Sequence, residues 1–121
     1  MSMDKPLFEL GSFQLSSGIT SKFRINAHTL TVNDWEALAY MALPIVPQFG
    51  SVVGVPTGGI PFAEALKSYI TCGPVLIVDD VFTTGASIHK VANNYKDSIL
   101  LVAFSRATYH PGIHAVFTLA Q

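Results

Sequence analysis

The chain has 121 residues, a length that suits one domain with its own core but is small for an α/β enzyme. Half of the residues are hydrophobic, 12% are charged, and the formal net charge is −1. This balance leaves no basic surface for nucleic acid or for an anionic membrane. The apolar excess indicates either a parallel sheet that is buried on both faces or additional apolar surface that is buried in an oligomer.

The single cysteine, Cys72, excludes an intramolecular disulfide and a metal site built on cysteines. We expect Cys72 to be a small buried hydrophobe rather than a nucleophile. The first residues lack the apolar core of a signal peptide, and no apolar run reaches membrane-spanning length. The sequence therefore predicts a cytoplasmic protein with no nucleic-acid or membrane partner.

The first third of the chain predicts a small N-terminal lobe. Short alternation at 13–15 and 23–25 flanks a turn rich in serine and glycine, which is typical of a hairpin. We assign residues 1–32 to this lobe, as a hood segment over the rest of the chain.

A helix is predicted next, capped by Asn33 or Asp34 and ending before Pro44. Its apolar residues recur at helical spacing: Trp35, Leu38, Ala39 and Ala42.

Strands then alternate with helices, which predicts a parallel sheet with right-handed crossovers. The predicted strands are 51–55, 74–78, 98–104 and 115–119, and the predicted helices are 60–69 and 87–95. The expected fold is α/β, a parallel sheet of about four strands flanked by helices, in a single domain over 1–121 with its core at 33–121. Ligands of such sheets bind beyond the carboxyl ends of the strands.

The segment 75–87, Val-Leu-Ile-Val-Asp-Asp-Val-Phe-Thr-Thr-Gly-Ala-Ser, is the most informative part of the chain. A buried-type strand brings Asp79 and Asp80 to its end, and a turn of small and hydroxylic residues opens the next helix. Free backbone N–H groups beside hydroxyls suit a phosphate, and two nearby acids suit a hydroxylated sugar with Mg²⁺. Taken alone, two adjacent acids after a strand favour an ordinary role, as a helix cap or as solvent-exposed groups.

The thirteen residues together resemble the phosphoribosyl-pyrophosphate (PRPP) signature of type I phosphoribosyltransferases. The resemblance implies that Asp79 and Asp80 contact the ribose hydroxyls and that one of them helps to stabilise the ribosyl cation. It also implies that the 5′-phosphate is held by the turn, formed by Thr83, Thr84, Gly85, Ala86 and Ser87. The cofactor would be Mg²⁺ carried mainly by PRPP and water, since no cage of carboxylates is visible.

A second segment, 54–63 (Gly-Val-Pro-Thr-Gly-Gly-Ile-Pro-Phe-Ala), lies one predicted strand earlier. Its glycines allow the backbone to approach a ligand, although an ordinary strand-to-helix turn is an equally good interpretation of the segment alone. It resembles the pyrophosphate loop of orotate phosphoribosyltransferases, which implies that Thr57, Gly58 and Gly59 bind pyrophosphate. It departs from the family at Gly58, where many members carry a lysine.

The N-terminal segment 13–27 resembles the part of orotate phosphoribosyltransferases that covers the nucleobase. The matching residues are Ser17, Gly18, Lys22, Phe23 and Asn26. Without the resemblance, a hairpin with a polar turn would be the default interpretation.

Arg106 follows the third predicted strand, where the family commonly has an Asp-Arg pair whose arginine binds the carboxylate of orotate. This chain has Ser105-Arg106, so the arginine is kept and the acid is not. The resemblance implies a base site formed by Phe23, Asn26 and Arg106, and a guanidinium suits bidentate recognition of a carboxylate. A solvent-exposed arginine at a strand end is the alternative.

The resemblance has one large gap. Full-length orotate phosphoribosyltransferases have two further strands and a long mobile loop between the pyrophosphate segment and the PRPP strand, and only residues 67–73 lie there in this chain. The loop's basic residues, which reach the leaving pyrophosphate, are absent. PRPP binding is therefore better supported than turnover.

Two functions follow. The first is a phosphoribosyltransferase, a glycosyltransferase that moves the 5-phosphoribosyl group from PRPP to a nucleobase, with orotate or another pyrimidine favoured, and releases pyrophosphate. The alternative is a non-catalytic regulatory module that binds PRPP or a nucleotide. We expect a homodimer or higher oligomer, in which a second subunit covers the open site with basic residues such as Lys22, Arg24 or Lys67.

Overall fold

The computed structural model describes residues 6–14 and 20–119, without the side chains of Thr20 and Lys22. The elements in chain order are β1 (Phe8–Gln14), β2 (Thr20–Ile25), α1 (Val32–Ala42), β3 (Ser51–Gly54), α2 (Ile60–Leu66), β4 (Val75–Phe82), α3 (Ala86–Ala92), β5 (Ser98–Ser105) and β6 (Ile113–Thr118). Short 3₁₀ turns lie at Ala27–Thr29 and Lys67–Tyr69.

The strands β3, β4, β5 and β6 form one parallel sheet in that order. The predicted α/β fold with a four-stranded parallel sheet is confirmed. The central strands carry continuous apolar runs because both of their faces are buried. Leu76, Val78 and Leu101 pack with α1 and α2 in one cluster, whereas Ile77 and Val102 pack with Ile88 of α3 in a second cluster.

Helix α1 begins two or three residues earlier than predicted. Its N-cap is Thr31, whose Oγ1 accepts the backbone N–H of Asp34 at 3.2 Å, while Asp34 Oδ2 accepts the backbone N–H of Thr31 at 2.8 Å. This reciprocal capping box satisfies two amides at the start of the helix, so the predicted caps, Asn33 and Asp34, lie inside the first turn. The four apolar residues predicted at helical spacing are all buried, as expected.

Strand β4 continues beyond the predicted end at Val78. β3 ends where Gly54 pairs with Val78, but β4 goes on pairing with β5 from Asp79 opposite Val102 to Phe82 opposite Ser105. The two aspartates therefore lie inside a strand that has lost one neighbour. This leaves one edge of β4 open at the position of the acid pair.

The hairpin β1–β2 is antiparallel and lies against the parallel sheet, as predicted for the N-terminal lobe. The backbone N–H of Asn26 donates to the carbonyl of Leu7 at 2.6 Å, and the ring of Phe8 packs edge-on against Phe104 at 6.1 Å between centroids. Ser17 and Gly18, which the resemblance places in the base site, lie outside the described residues.

The connection between α2 and β4 is short, as the sequence indicates. Cys72 lies in it and is exposed, so the expectation of a buried thiol is wrong. The segment turns around Gly73 at the surface, and the Sγ atom of Cys72 lies 3.4 Å from Oε1 of Gln48. Over the described residues, every helix is too short or too polar to cross a membrane.

The capping box predicts a measurable loss of stability. Replacing Thr31 by alanine leaves the N–H of Asp34 without its side-chain acceptor, and we expect the free energy of unfolding to fall by about 1 kcal/mol. Urea unfolding followed by circular dichroism would measure the loss. The exposed Thr108 caps no helix. The matched control Thr108→Ala should therefore change the value by less than about 0.5 kcal/mol, and an equal loss in both variants would contradict the capping argument.

Candidate functional site

Two cavities at the carboxyl end of β4 together form a cleft. The smaller one, about 170 Å³, lies over residues 83–87, and the larger one, about 330 Å³, reaches Arg24 and Arg106. They share four lining residues: Asp79, Val81, Thr83 and Ser87. The PRPP-type segment thus lines both cavities, and the larger one opens toward the hairpin.

The acid pair lies where the two cavities join. Asp79 is 8% exposed and its Oδ1 accepts the backbone N–H of Asp80 at 2.8 Å, while Asp80 Oδ1 accepts the backbone N–H of Val81 at 2.8 Å. Burial raises the pKa of Asp79, with smaller contributions from a side-chain hydrogen bond with Asp80 and from the negative charge of Asp80, to about 8. In the folded chain at neutral pH, Asp79 is therefore mostly protonated.

The loop at 83–87 depends on Gly85. This residue has φ +84°, and a Cβ there would lie 2.6 Å from Cε1 of Phe82 and 2.9 Å from Cδ2 of His89. In the described part of the chain, the backbone N–H groups of Thr84, Gly85 and Ser87 find no acceptor, and that of Ala86 reaches Thr84 Oγ1 at 3.4 Å. Unpaired amides and hydroxyls around one cavity suit a phosphate.

The second glycine-rich loop, residues 55–59, is fixed against the end of β4. Val55 donates its N–H to the carbonyl of Val78 at 2.8 Å, and Gly59 donates its N–H to the carbonyl of Val55 at 2.8 Å. A Cβ on Gly59 would overlap the Val78 carbonyl oxygen and lie 2.8 Å from the Val55 nitrogen. Glycine is therefore required here for a close backbone approach, and the peptide bond between Pro56 and Thr57 is cis.

Gly58, which replaces the family's lysine, touches the acid pair. A Cβ at this position would lie 2.7 Å from Cγ of Asp80 and overlap Oδ2 of that carboxylate. No side chain at residue 58 fits unless the Asp80 side chain moves. The departure at Gly58 is thus linked to the conformation of Asp80, which the sequence did not indicate.

Arg106 is buried and holds the hairpin. It is 5% exposed, its Nη2 donates to Ser21 Oγ and to the Phe23 carbonyl (2.8 Å to the carbonyl), and its guanidinium lies 3.8 Å from the centre of the Phe23 ring. Its Nε is buried without a partner, and burial lowers the pKa of the guanidinium. The alternative of a solvent-exposed arginine at this strand end is therefore wrong.

The structure brings together most, but not all, of the predicted site residues. Those that line the cleft are Gly58, Asp79, Asp80, Thr83, Thr84, Gly85, Ala86, Ser87 and Arg106. Phe23 stacks on the guanidinium of Arg106, and Gly59 is buried in the loop. Thr57 is exposed and is not among the lining residues of either cavity.

Asn26 is also absent from the cleft lining. Its side-chain amide donates to the carbonyl of Pro6 at 2.9 Å and to Glu9 Oε1 at 3.0 Å. In the structure, the side chain of Asn26 ties β2 to the segment that contains β1, and it does not face the cleft in which a base would bind.

Arg24 lines the larger cavity, although the sequence did not assign it to the base site. Its Nη2 donates to Glu9 Oε1 at 2.8 Å, its guanidinium lies 4.3 Å from the centre of the Phe13 ring, and its Nε is buried without a partner. The signal that would have found it is its place directly after Phe23, inside the segment 13–27 that resembles the cover of the nucleobase.

Among the described residues, no three His, Cys, Asp or Glu side chains form a cluster that could hold a metal ion. Two adjacent carboxylates fit a Mg²⁺ ion that brings most of its oxygen ligands from a bound pyrophosphate and water.

Comparisons with known proteins agree on one group. No family model matches the chain. The orotate phosphoribosyltransferase of Pyrobaculum islandicum is 29% identical over 124 residues, covering 78% of this chain and 64% of the relative. The chain spans 56–64% of the length of the curated relatives that it matches.

Solved structures of orotate phosphoribosyltransferases have the same fold as this chain. The crystal structure of orotate phosphoribosyltransferase from Aeropyrum pernix matches with a TM-score of 0.73 and 27% identity, over 93% of this chain and 88% of that one. The Mycobacterium tuberculosis orotate phosphoribosyltransferase in complex with PRPP matches with a TM-score of 0.65 and 20% identity, over 88% and 86%. The chain is therefore a relative of the orotate phosphoribosyltransferases that has the type I phosphoribosyltransferase fold.

Proposed function

We propose that this protein is a phosphoribosyltransferase that transfers the 5-phosphoribosyl group from PRPP to a nucleobase and releases pyrophosphate. One observation carries the proposal: a single cleft joins an open phosphate loop, a pair of aspartates and a buried arginine, in a relative of orotate phosphoribosyltransferases. The order of these groups matches the order of phosphate, ribose and base in the product nucleotide.

The phosphate would occupy the smaller cavity, where the amides of Thr84, Gly85 and Ser87 have no acceptor in the described chain. The ribose hydroxyls would then lie at the acid pair, which lines the neighbouring part of the cleft. The pyrophosphate would lie against Gly58, because that backbone faces Asp80 without an intervening side chain.

The reaction breaks the bond between the anomeric carbon and a pyrophosphate oxygen and forms a bond from that carbon to a ring nitrogen of the base. Positive charge develops on the ribose while negative charge grows on the leaving group, so an ionised aspartate beside the ribose stabilises the transition state. When bound, Mg²⁺ neutralises part of the pyrophosphate charge. Because its pKa is raised to about 8, Asp79 would act in this way only after the positive charge that develops beside it has favoured loss of its proton.

The acceptor would be orotate or another pyrimidine with a carboxylate. Arg106 lines the larger cavity and has no carboxylate partner among the described residues, which suits a planar anionic group on the ligand. The relatives that the chain matches are named as orotate phosphoribosyltransferases, which supports the same acceptor.

A second subunit would complete the site. Residues 70–74 join the 3₁₀ turn to β4 directly, so this part of the chain offers no covering loop. Large apolar side chains are exposed on α1, including Val32 and Tyr40 at 74% and 69%, and would pack in a homodimer.

The short connection at residues 70–74, which offers no covering loop, also favours the alternative function, a non-catalytic module that binds PRPP. Without basic residues over the pyrophosphate, turnover would lose transition-state stabilisation while binding at the phosphate loop remained.

The acid pair provides the primary test. Titration calorimetry with PRPP and Mg²⁺ should show binding to the native protein, and Asp79→Asn/Asp80→Asn should weaken it by about 10- to 100-fold, because hydrogen bonds to charged groups are lost. Incubation of the native protein with orotate should yield a nucleotide that mass spectrometry detects. Binding without any product would favour the regulatory module, and absence of binding would contradict both functions.

Gly85 provides a test of the phosphate loop with a matched control. Both Gly85 and Gly112 have positive φ, +84° and +77°, but a Cβ at Gly112 meets nothing within 4 Å. Alanine at either position should cost about 1–2 kcal/mol of backbone strain. Only Gly85→Ala should also weaken ribose 5-phosphate binding, by tenfold or more (about 1.4 kcal/mol), as measured by calorimetry. Equal affinities in the two variants would contradict the assignment of the loop.

The raised pKa of Asp79 predicts how stability depends on pH. The carboxyl titrates near 3.8 in the unfolded chain and near 8 in the folded one, so over this range the folded state binds more protons. Stability should therefore fall as pH rises from about 5 to about 8, by at most about 1.4 kcal/mol per pH unit for one proton. Urea unfolding at several pH values should show this slope flattened in Asp79→Asn. The exposed control Asp97→Asn should retain it, and a native slope of zero would be inconsistent with the buried protonated carboxyl.

A further inference from the structure

Two arginine side chains, Arg24 and Arg106, each contain a buried nitrogen atom without a hydrogen-bond partner. In the described part of the chain, their Nε atoms are the only buried side-chain nitrogen or oxygen atoms in this state. Both residues line the same 330 Å³ cavity. A guanidinium has five N–H donors, so two arginines that line one cavity indicate a ligand that accepts from both.

The surroundings hold both side chains in place. Arg24 is bound to Glu9 by its Nη2, and Glu9 Oε1 also accepts from the side-chain amide of Asn26 at 3.0 Å. Arg106 is bound to Ser21 and Phe23 on the same strand as Arg24. Each guanidinium thus uses Nη2 for the protein and keeps Nε unpaired. Because both are held before a ligand arrives, little side-chain entropy remains to be lost on binding.

We propose that Arg24 is a specificity-determining residue that, together with Arg106, forms a two-guanidinium site for the acceptor base at the hairpin end of the cleft. This inference rests on the proposed function and deepens it. The ligand group would be a carboxylate and the adjacent carbonyl edge of a planar ring, since two fixed donors on separate arginines suit two acceptors on a rigid ligand. A neutral pyrimidine without the carboxylate would leave one donor unpaired.

Pyrophosphate is the other anion of the reaction that these donors could accept, and the structure favours the base. Arg24 belongs to β2, and Arg106 is bonded to β2, so both guanidinium groups lie at the hairpin. The glycine-rich loop at 55–59, which would hold pyrophosphate, belongs instead to the connection between β3 and α2. Arg24 and Arg106 therefore lie at the end of the cleft where the base would bind.

The test compares two ligands that differ by one carboxylate. Orotate and uracil are titrated by calorimetry into the full chain saturated with Mg²⁺ and ribose 5-phosphate, which fills the phosphate and ribose positions without supplying a leaving group. For Arg24→Gln we expect orotate affinity to fall by about 10- to 100-fold, as for a lost hydrogen bond to a charged group, and uracil affinity to stay unchanged. The charge-matched control is Lys96→Gln, at an exposed residue outside the cleft lining, and it should change neither.

Two further measurements separate the possible outcomes. Ribose 5-phosphate affinity and the thermal unfolding midpoint of Arg24→Gln should equal those of the native protein, which shows that the variant is folded and its phosphate loop intact. Pyrophosphate affinity should also be unchanged. An unaltered ratio of orotate to uracil affinity, or a loss confined to pyrophosphate, would overturn the assignment of Arg24 while leaving the proposed function standing. If neither PRPP nor ribose 5-phosphate binds the native protein, the proposed function fails and this inference fails with it.

Discussion

The burial of one guanidinium joins the two parts of this molecule. Arg106 follows β5, its backbone N–H donates to the Phe82 carbonyl at 2.9 Å at the end of β4, and its side chain bonds to the hairpin at Ser21 and Phe23. A charge buried to this degree is expensive unless it is well hydrogen-bonded. The hairpin carbonyl and hydroxyl supply part of that compensation, so the position of the hairpin over the sheet is coupled to the state of the cleft.

The remainder of the cleft follows from a difference in strand length. β3 stops at Gly54 while β4 runs on to Phe82 beside β5, which leaves the edge of β4 without a strand at the acid pair. The loop at 55–59 lies against the last paired residue before that edge through the backbone of Gly59, which contacts the Val78 carbonyl. If β3 were as long as β4, its backbone would pair with the edge of β4 at Asp79 and Asp80, and the cleft would be closed there.

The sequence predicted the sheet, the hairpin and the helices because their signals are local: apolar runs, turn residues and helical spacing. It also indicated that the two acids and the loop at 83–87 lie together, because their order along a strand–turn–helix unit fixes their relative positions. It failed where the outcome depends on contacts distant in sequence. Asn26 bonds to Pro6 and Glu9 instead of lining the cleft, and Arg24 reaches the cavity beside Arg106. Cys72 is exposed because its segment turns around Gly73 at the surface, which hydrophobicity alone does not indicate.

The contact between residue 58 and Asp80 constrains how this cleft can change through evolution or engineering. Any side chain at residue 58 would occupy the space of the Asp80 carboxylate. The two positions are therefore coupled: a side chain introduced at residue 58 is accommodated only when the Asp80 carboxylate takes another conformation. A library built to place a lysine at residue 58 should vary residue 80 with it, so that the acid pair and the new cation are selected together.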